Sequence, residues 1–314
     1  MKNFVLALVI WVSALAHAAD FNYNLVPQEI ASGVYAFVGQ TTDFNTENGG
    51  NIVNTGFIVA PDGVIVVDTG PSLRYGQQMR AAIGRVTRKP VVLVLNTHHH
   101  PDHFLGNQAF SDVPIATLAE IQKAMAAEGN AFAENLYRMS GDWMAGTEVF
   151  LPTRNIGGGA LDIAGRHLQL LALEGHTGAD LAIYDASSGV LFAGDLVFND
   201  RAPTTPHAQV ERWLRSLSEL EQLTRASTFR ALVPGHGAVT RDASAIARTR
   251  DWLTWLTGFL RASAATGMDM TEVIASPLPS RFKQLPMAPD EYRRSVGHLY
   301  PAIELEVLEK THTH

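Results

Sequence analysis

Thr97-His98-His99-His100-Pro101-Asp102-His103 decides how this chain is read. Four imidazoles and one carboxylate crowd into the stretch from His98 to His103, directly after an apolar strand expected over Val91 to Leu95. Such a cluster cannot pack as an ordinary hydrophobic core. Neutral imidazole and carboxylate are instead donors that Zn²⁺, Fe and Mn accept. Spacing sorts them. His98 and His100 are two apart, so an extended backbone projects them the same way and His99 oppositely. Pro101 turns the chain, which lets Asp102 and His103 aim at a second position. The chain has no cysteine, so no thiolate can serve as nucleophile or ligand. Any metal site must use imidazole and carboxylate.

Around this cluster the chain reads as two similar halves. In the first, Val34 to Val38, Ile52 to Val59 and Val64 to Val67 are expected strands, with Asn48-Gly49-Gly50 a flexible turn and Pro61-Asp62-Gly63 a tight one. A helix is expected near Leu73 to Val86. In the second, Leu168 to Leu173 leads to Glu174-Gly175-His176, and a hairpin of Leu181 to Tyr184 with Val190 to Ala193 closes on Gly194-Asp195. A helix over about Gln209 to Arg225 and a strand over Ala231 to Val233 precede Pro234-Gly235-His236. The runs GFIVAPDGVIVVDTG and LAIYDASSGVLFAGD share one plan: strand, glycine turn, strand, terminal aspartate. Two αβ halves with matched strand ends predict a duplicated sandwich with a shared cleft.

Between the halves, Leu118 to Met144 has apolar residues at helical spacing and is expected to pack on the core, with a lid over the site as the lesser alternative. Gly157-Gly158-Gly159 is read as a hairpin turn, because no Lys-Ser/Thr helix start follows to make it a phosphate cradle. A long helix is expected from Asp242 to about Thr266. A proline-rich stretch and a terminal helical tail follow. His17, His99, His167, His207 and His298 are read as ordinary core or surface histidines, and His312 and His314 as unsuited to ligation at a fraying end.

The 314 residues are 46% apolar, enough for a sizeable core, and the formal charge of −7 carries no basic stripe, so nucleic acid is not an expected partner. Residues 1–18 are set apart. Lys2 is followed by an apolar stretch from Phe4 to Ala16 and by Ala16-His17-Ala18, the pattern of a signal peptide cleaved before Ala19. The stretch is shorter than the ~20 residues that span a bilayer, so no stable membrane anchor is expected. Residues 19–314 then form one domain with a C-terminal helical extension, located in the periplasm or secreted.

The pattern His-x-His-x-Asp-His, followed in order by Gly175-His176-Thr177, Gly194-Asp195 and Pro234-Gly235-His236, resembles the signature of the metallo-β-lactamase superfamily. The resemblance covers nearly all of the chain after the signal segment. It implies an α/β fold, a four-layer αββα sandwich with metals at one edge. By that analogy His98, His100 and His176 hold one Zn²⁺, Asp102, His103 and His236 hold a second, and Asp195 bridges. Asp68, at the matching strand end of the first half, looks like the carboxylate that orients a ligand imidazole. Asp102 would also orient the nucleophile. True β-lactamases typically carry Cys or Ser near position 195; a bridging aspartate is similar to glyoxalase II and related hydrolases. The signal segment, Asn48-Gly49-Gly50-Asn51-Ile52 and the whole-chain layout look most like the quinoprotein relay system zinc metallohydrolases, which are related to a hydrolase of sulfur-oxidation clusters.

The expected function is therefore an exported dizinc hydrolase in which a metal-bridging hydroxide attacks an ester, thioester or amide carbon of a small molecule. Three alternatives stand beside it: a mononuclear non-haem iron persulfide dioxygenase on the same fold, a β-lactamase, and a periplasmic binding or accessory protein with a vestigial site.

Overall fold

The computed structural model describes residues 21–312. The expected signal segment, with His17, and the terminal His314 lie outside them. One sheet holds seven strands in sequential order: β1 (Gln28–Ala31), β2 (Val34–Phe37), β3 (Thr55–Ala60), β4 (Gly63–Val67), β5 (Val91–Leu95), β6 (Ile115–Thr117) and β7 (Arg154–Asn155). The second comprises β8 (Gly159–Ile163), β9 (Arg166–Leu173), β10 (Asp180–Asp185), β11 (Val190–Phe198) and β12 (Ala231–His236), in the order β12-β11-β10-β9-β8. The helices are α1 (Leu73–Val86), α2 (Pro101–Phe104), α3 (Ala119–Ser140), α4 (Val210–Thr224), α5 (Ser244–Ala265), α6 (Met270–Ala275) and α7 (Ala288–His312). Two mixed sheets flanked by helices give the anticipated αββα fold.

Alternation along the strands builds the layers. In β4, Ile65 and Val67 enter the core between the sheets, while Val64 and Val66 face Tyr75, Met79 and Ile83 of α1. In β11, Val190 and Phe192 point inward; Leu191 and Ala193 face Trp213 and Leu217 of α4 and Trp252 and Leu256 of α5. Because both faces are buried, these strands read as continuous apolar runs. The duplicated plan is visible in the pairing. An antiparallel β3–β4 hairpin, α1 and a parallel β5 in one half match an antiparallel β10–β11 hairpin, α4 and a parallel β12 in the other.

Four local expectations need correction. The strand expected from Ile52 begins only at Thr55, because residues 52–54 form a turn that reaches across to the second sheet. Asn54 donates from Nδ2 to Pro234 O (2.9 Å) and Gly237 O (2.7 Å), accepts from Gly39 N (3.0 Å), and its amide donates to Gly235 O (2.7 Å). Asn48-Gly49-Gly50 is not a flexible turn but a buried one, pinned by Asn48 Nδ2 donating to Asp43 O at 2.8 Å. The three glycines at 157–159 are not a hairpin turn: β7 and β8 lie in different sheets, so this segment carries the chain from one to the other. β11 does not close on Asp195 but bulges at Gly194 and continues to Phe198.

Helix α3 packs Ile121, Met125 and Leu136 against the core between the sheets, as its spacing predicted. No helix among the described residues is long and apolar enough to cross a membrane. The Asn54 crosslink should be costly to remove. Asn54→Ala leaves two buried carbonyls and one amide without partners, and a loss of roughly 2–4 kcal/mol is expected in denaturant unfolding.

Candidate metal centre

The seven candidate donor side chains come from separate pieces of chain that meet at one edge of the sandwich. His98 and His100 occupy the turn after β5. Asp102 and His103 lie on α2, whose first residue is Pro101, a position that needs no backbone N–H. His176 follows β9, Asp195 sits inside β11, and His236 ends β12. All seven are buried. Nitrogens and oxygens of His98, His100, His176 and Asp195 form one compact group, and those of Asp102, His103 and His236 a second. Asp195 faces both. Its Oδ2 lies 3.3 Å from His176 Nε2, 3.8 Å from His98 Nε2 and 3.2 Å from His236 Nε2, and its Oδ1 lies 3.1 Å from His103 Nε2. Gly235 makes room for this. A Cβ there would come within 1.9 Å of Asp195 Oδ1, so any side chain would displace the carboxylate.

Hydrogen bonds on the far side of three rings fix which nitrogen carries the proton. Asp68 Oδ2 accepts from His103 Nδ1 (2.8 Å) and from Thr97 Oγ1 (2.7 Å), while Oδ1 accepts from Thr97 N (2.8 Å). With its proton given to Asp68, Thr97 Oγ1 accepts from His98 Nδ1 at 3.0 Å. His236 Nδ1 donates to Ile52 O at 2.7 Å. In the neutral form of each ring Nε2 is thereby left as a lone pair, the form a metal ion takes up. His98 Nε2, His103 Nε2 and Asp195 Oδ1 are buried without a hydrogen-bond partner, a costly state for an apolar interior and a natural one for metal donors. The donor set fits a divalent cation.

The sequence profile of the metallo-beta-lactamase superfamily matches residues 48–253. The chain belongs to the metallo-beta-lactamase superfamily. Among curated relatives, a linear primary-alkylsulfatase of Pseudomonas sp. (strain ATCC 19151) is 26% identical over 220 residues, covering 57% of this chain and 40% of that protein. A hydroxyacylglutathione hydrolase of Synechococcus sp. (strain JA-3-3Ab) is 30% identical over 137 residues, 44% of this chain and 47% of that protein. The chain thus spans less than half the length of these two relatives. A human acyl-coenzyme A thioesterase is 24% identical over 209 residues, 60% of this chain and 74% of its own. Of solved structures, a beta-lactamase domain protein from Burkholderia ambifaria superposes with a TM-score of 0.65 at 21% identity, covering 90% of this chain and 88% of that one. That likeness concerns the fold.

The buried cluster opens onto a cleft of about 200 Å³, lined at its base by Asp102, Asp195 and His236. Phe132 and Asn135 of α3 form one wall, Glu291, Arg294 and His298 of α7 another, and Arg201, Thr204 and His207 line it from the segment after β11. Arg294 pairs with Asp43 and, at 3.0 Å, with Glu291; buried Arg201 lies 3.4 Å from Glu291. Two histidines read as ordinary prove to line the cleft, His207 and His298, and His99 packs 5.0 Å ring to ring from His207. His167 is exposed beside Asp162, as expected. The α7 residues carry a sequence signal of their own, since positions 291, 294 and 298 share a helix face.

Burial, then neighbouring imidazoles, hold His98 and His100 well below the ordinary imidazole value, and burial takes His176 down to about 3. His103 goes the other way: burial opposes its charge, but Asp195, Asp102 and Asp68 together hold it well above 6.5. Asp195, despite burial, is held well below the usual carboxylate range by His236 and His103. Metal uptake near pH 7 should therefore displace the proton on His103 and release about one proton per chain. Calorimetry in buffers of different ionisation heat measures this. The signs are opposed: affinity for metal should rise with pH through the raised His103 value. The His103 contribution to metal-free stability, full below pH 6.5, should be lost over the same climb.

Proposed function

We propose that this chain is an exported hydrolase that holds two divalent metal ions, Zn²⁺ first among them, and cleaves an ester, thioester or amide of a small molecule. The observation that carries the reading is two complete donor sets meeting at one buried carboxylate. His98, His100 and His176 would hold one ion, Asp102, His103 and His236 the other, with Asp195 between them. When bound, such a pair supplies Lewis acidity and a water acidified toward neutral pH.

The protein's own groups then have defined tasks. Asp102 faces the cleft with Oδ2 3.5 Å from His236 Nε2, where it can orient an attacking water by accepting its hydrogen bond. Arg201, Arg294, Glu291 and Asp43 offer charged contacts on one side, and Phe44, Ile52 and Phe132 offer apolar ones, which suits a substrate with both polar and hydrocarbon parts. Thioesters head the list, because acylglutathione and acyl-coenzyme A, the substrates in two relatives' names, are both thioesters. The mononuclear iron alternative needs only two histidines and a carboxylate, so it leaves the second donor set unexplained. Export rests on Lys2, the apolar stretch to Ala16 and Ala16-His17-Ala18; the resemblance to quinoprotein relay metallohydrolases supports a periplasmic setting.

Elemental analysis of purified protein should find close to two metal ions per chain, and one tightly held iron would overturn the reading. On a panel of thioester, ester and β-lactam substrates, His98→Ala and Asp102→Ala should each lower turnover by more than about 100-fold, since even partners of metal ligands are worth 10–100-fold. Export predicts a periplasmic product whose first residue is Ala19; a periplasmic product that retains Lys2 argues against cleavage.

A further inference from the structure

Beyond the seven donors, a second group of side chains gathers at the rim of the cleft. His100 Nε2 lies 2.9 Å from His207 Nδ1, and His207 Nε2 lies 3.2 Å from Glu128 Oε2 on α3. His99 Nε2 is 3.7 Å from Glu128 Oε1. Nitrogens of His99, His100 and His207 lie within 4.8 Å of one another, so on distance alone they make a third candidate metal site.

The proton inventory decides between a third ion and a hydrogen-bonded chain. A neutral imidazole has one lone pair and one N–H. His100 turns Nδ1 toward His176 Nε2, at 2.9 Å, and so toward the first donor set. If Nδ1 gives its lone pair to an ion there, Nε2 must carry the hydrogen. That hydrogen points at His207 Nδ1, which accepts it, so the proton of His207 sits on Nε2 and points at Glu128. Each atom along the line then has one role and none is left over. A third ion would require a second lone pair from His100, obtained only by removing both its protons.

We infer that His207 and Glu128 are positioning residues for the metal ligand His100, a relay in which an imidazole stands between the ligand and the carboxylate that anchors it. Usually the carboxylate or a carbonyl accepts from the ligand directly. Here the added ring lets an acid on α3 reach the metal centre through the segment after β11. The arrangement fixes the tautomer and orientation of His100 and ties α3 to the segment after β11. It rests on the dinuclear reading, through the assignment of His100 Nδ1 as a donor.

Titration of the full-length metal-free protein with Zn²⁺ against a chromophoric chelator tests it. Wild type should show two binding steps. His207→Ala should weaken one of them by about 10–100-fold and spare the other. His207→Gln should restore that step to within about threefold, because the amide oxygen accepts from His100 and the amide nitrogen donates to Glu128. Glu128→Ala should fall between. The absorption bands of Co²⁺-loaded protein should shift in His207→Ala and return in His207→Gln. Two unchanged steps in His207→Ala overturn the relay and leave the dinuclear reading standing. A third Zn²⁺ in wild type that both His99→Ala and His207→Ala lose overturns it in favour of a third metal site. Equal weakening of both steps, with a lower melting temperature of the metal-free variant, overturns it in favour of a packing role. A wild type that binds no ion removes both readings together.

Discussion

The catalytic edge depends on what the carboxylate of Asp68 accepts. Three hydrogen bonds converge on it, from the amide and hydroxyl of Thr97 and from His103 Nδ1. Its backbone sits at φ 56°, a left-handed conformation that Asp tolerates better than most residues, so β4 ends there and the side chain turns under the histidine turn. That one group sets the tautomers of two imidazoles, directly for His103 and through Thr97 for His98. A buried anion is costly unless every lone pair is used. Here the anion and the lone pairs it directs are two sides of one network.

The halves of the sandwich share the work unequally. The first supplies the dense cluster after β5 and the carboxylate that orients it. The second supplies three single residues, His176 from the loop after β9, Asp195 from within β11 and His236 from the end of β12. Thr97 O accepts from Leu181 N at 2.7 Å, and Ile52 O accepts from His236 Nδ1 at 2.7 Å, so hydrogen bonds to backbone carbonyls lock the halves together right beside the cluster. A relative shift of the two sheets would therefore break hydrogen bonds before it pulled the donors apart.

Much of this was legible in the sequence for a physical reason. The strands are buried on both faces and the helices that cover them are amphipathic, so Leu73–Val86 and Val91–Leu95 could be bounded from their residues. The cluster at His98, His100, Asp102 and His103 was legible because imidazoles and a carboxylate crowded after an apolar strand are expensive without a purpose, whereas His176, Asp195 and His236 followed from the family resemblance. What escaped was whatever depends on partners distant in sequence. Residues 52–54 look like strand, yet Asn54 is diverted by carbonyls some 180 residues away. His207 looks ordinary because its meaning lies in His100, 107 residues earlier, and Glu128 on a different helix. The glycines at 157–159 report a change of direction without saying which sheet receives the chain, so a crossing between sheets looks like a hairpin turn.

One feature of α7 bears on how such a protein can diversify. The residues matched by the superfamily profile end at 253, whereas Glu291, Arg294 and His298 come from a helix well past that point. Part of the cleft lining thus comes from outside the stretch that the family profile matches. The two stretches are nonetheless joined, because Glu291 lies 3.4 Å from Arg201 and Arg201 Nη1 lies 3.2 Å from His236 Nδ1, so a change in the late helix at Glu291 is felt one residue away from the buried cluster.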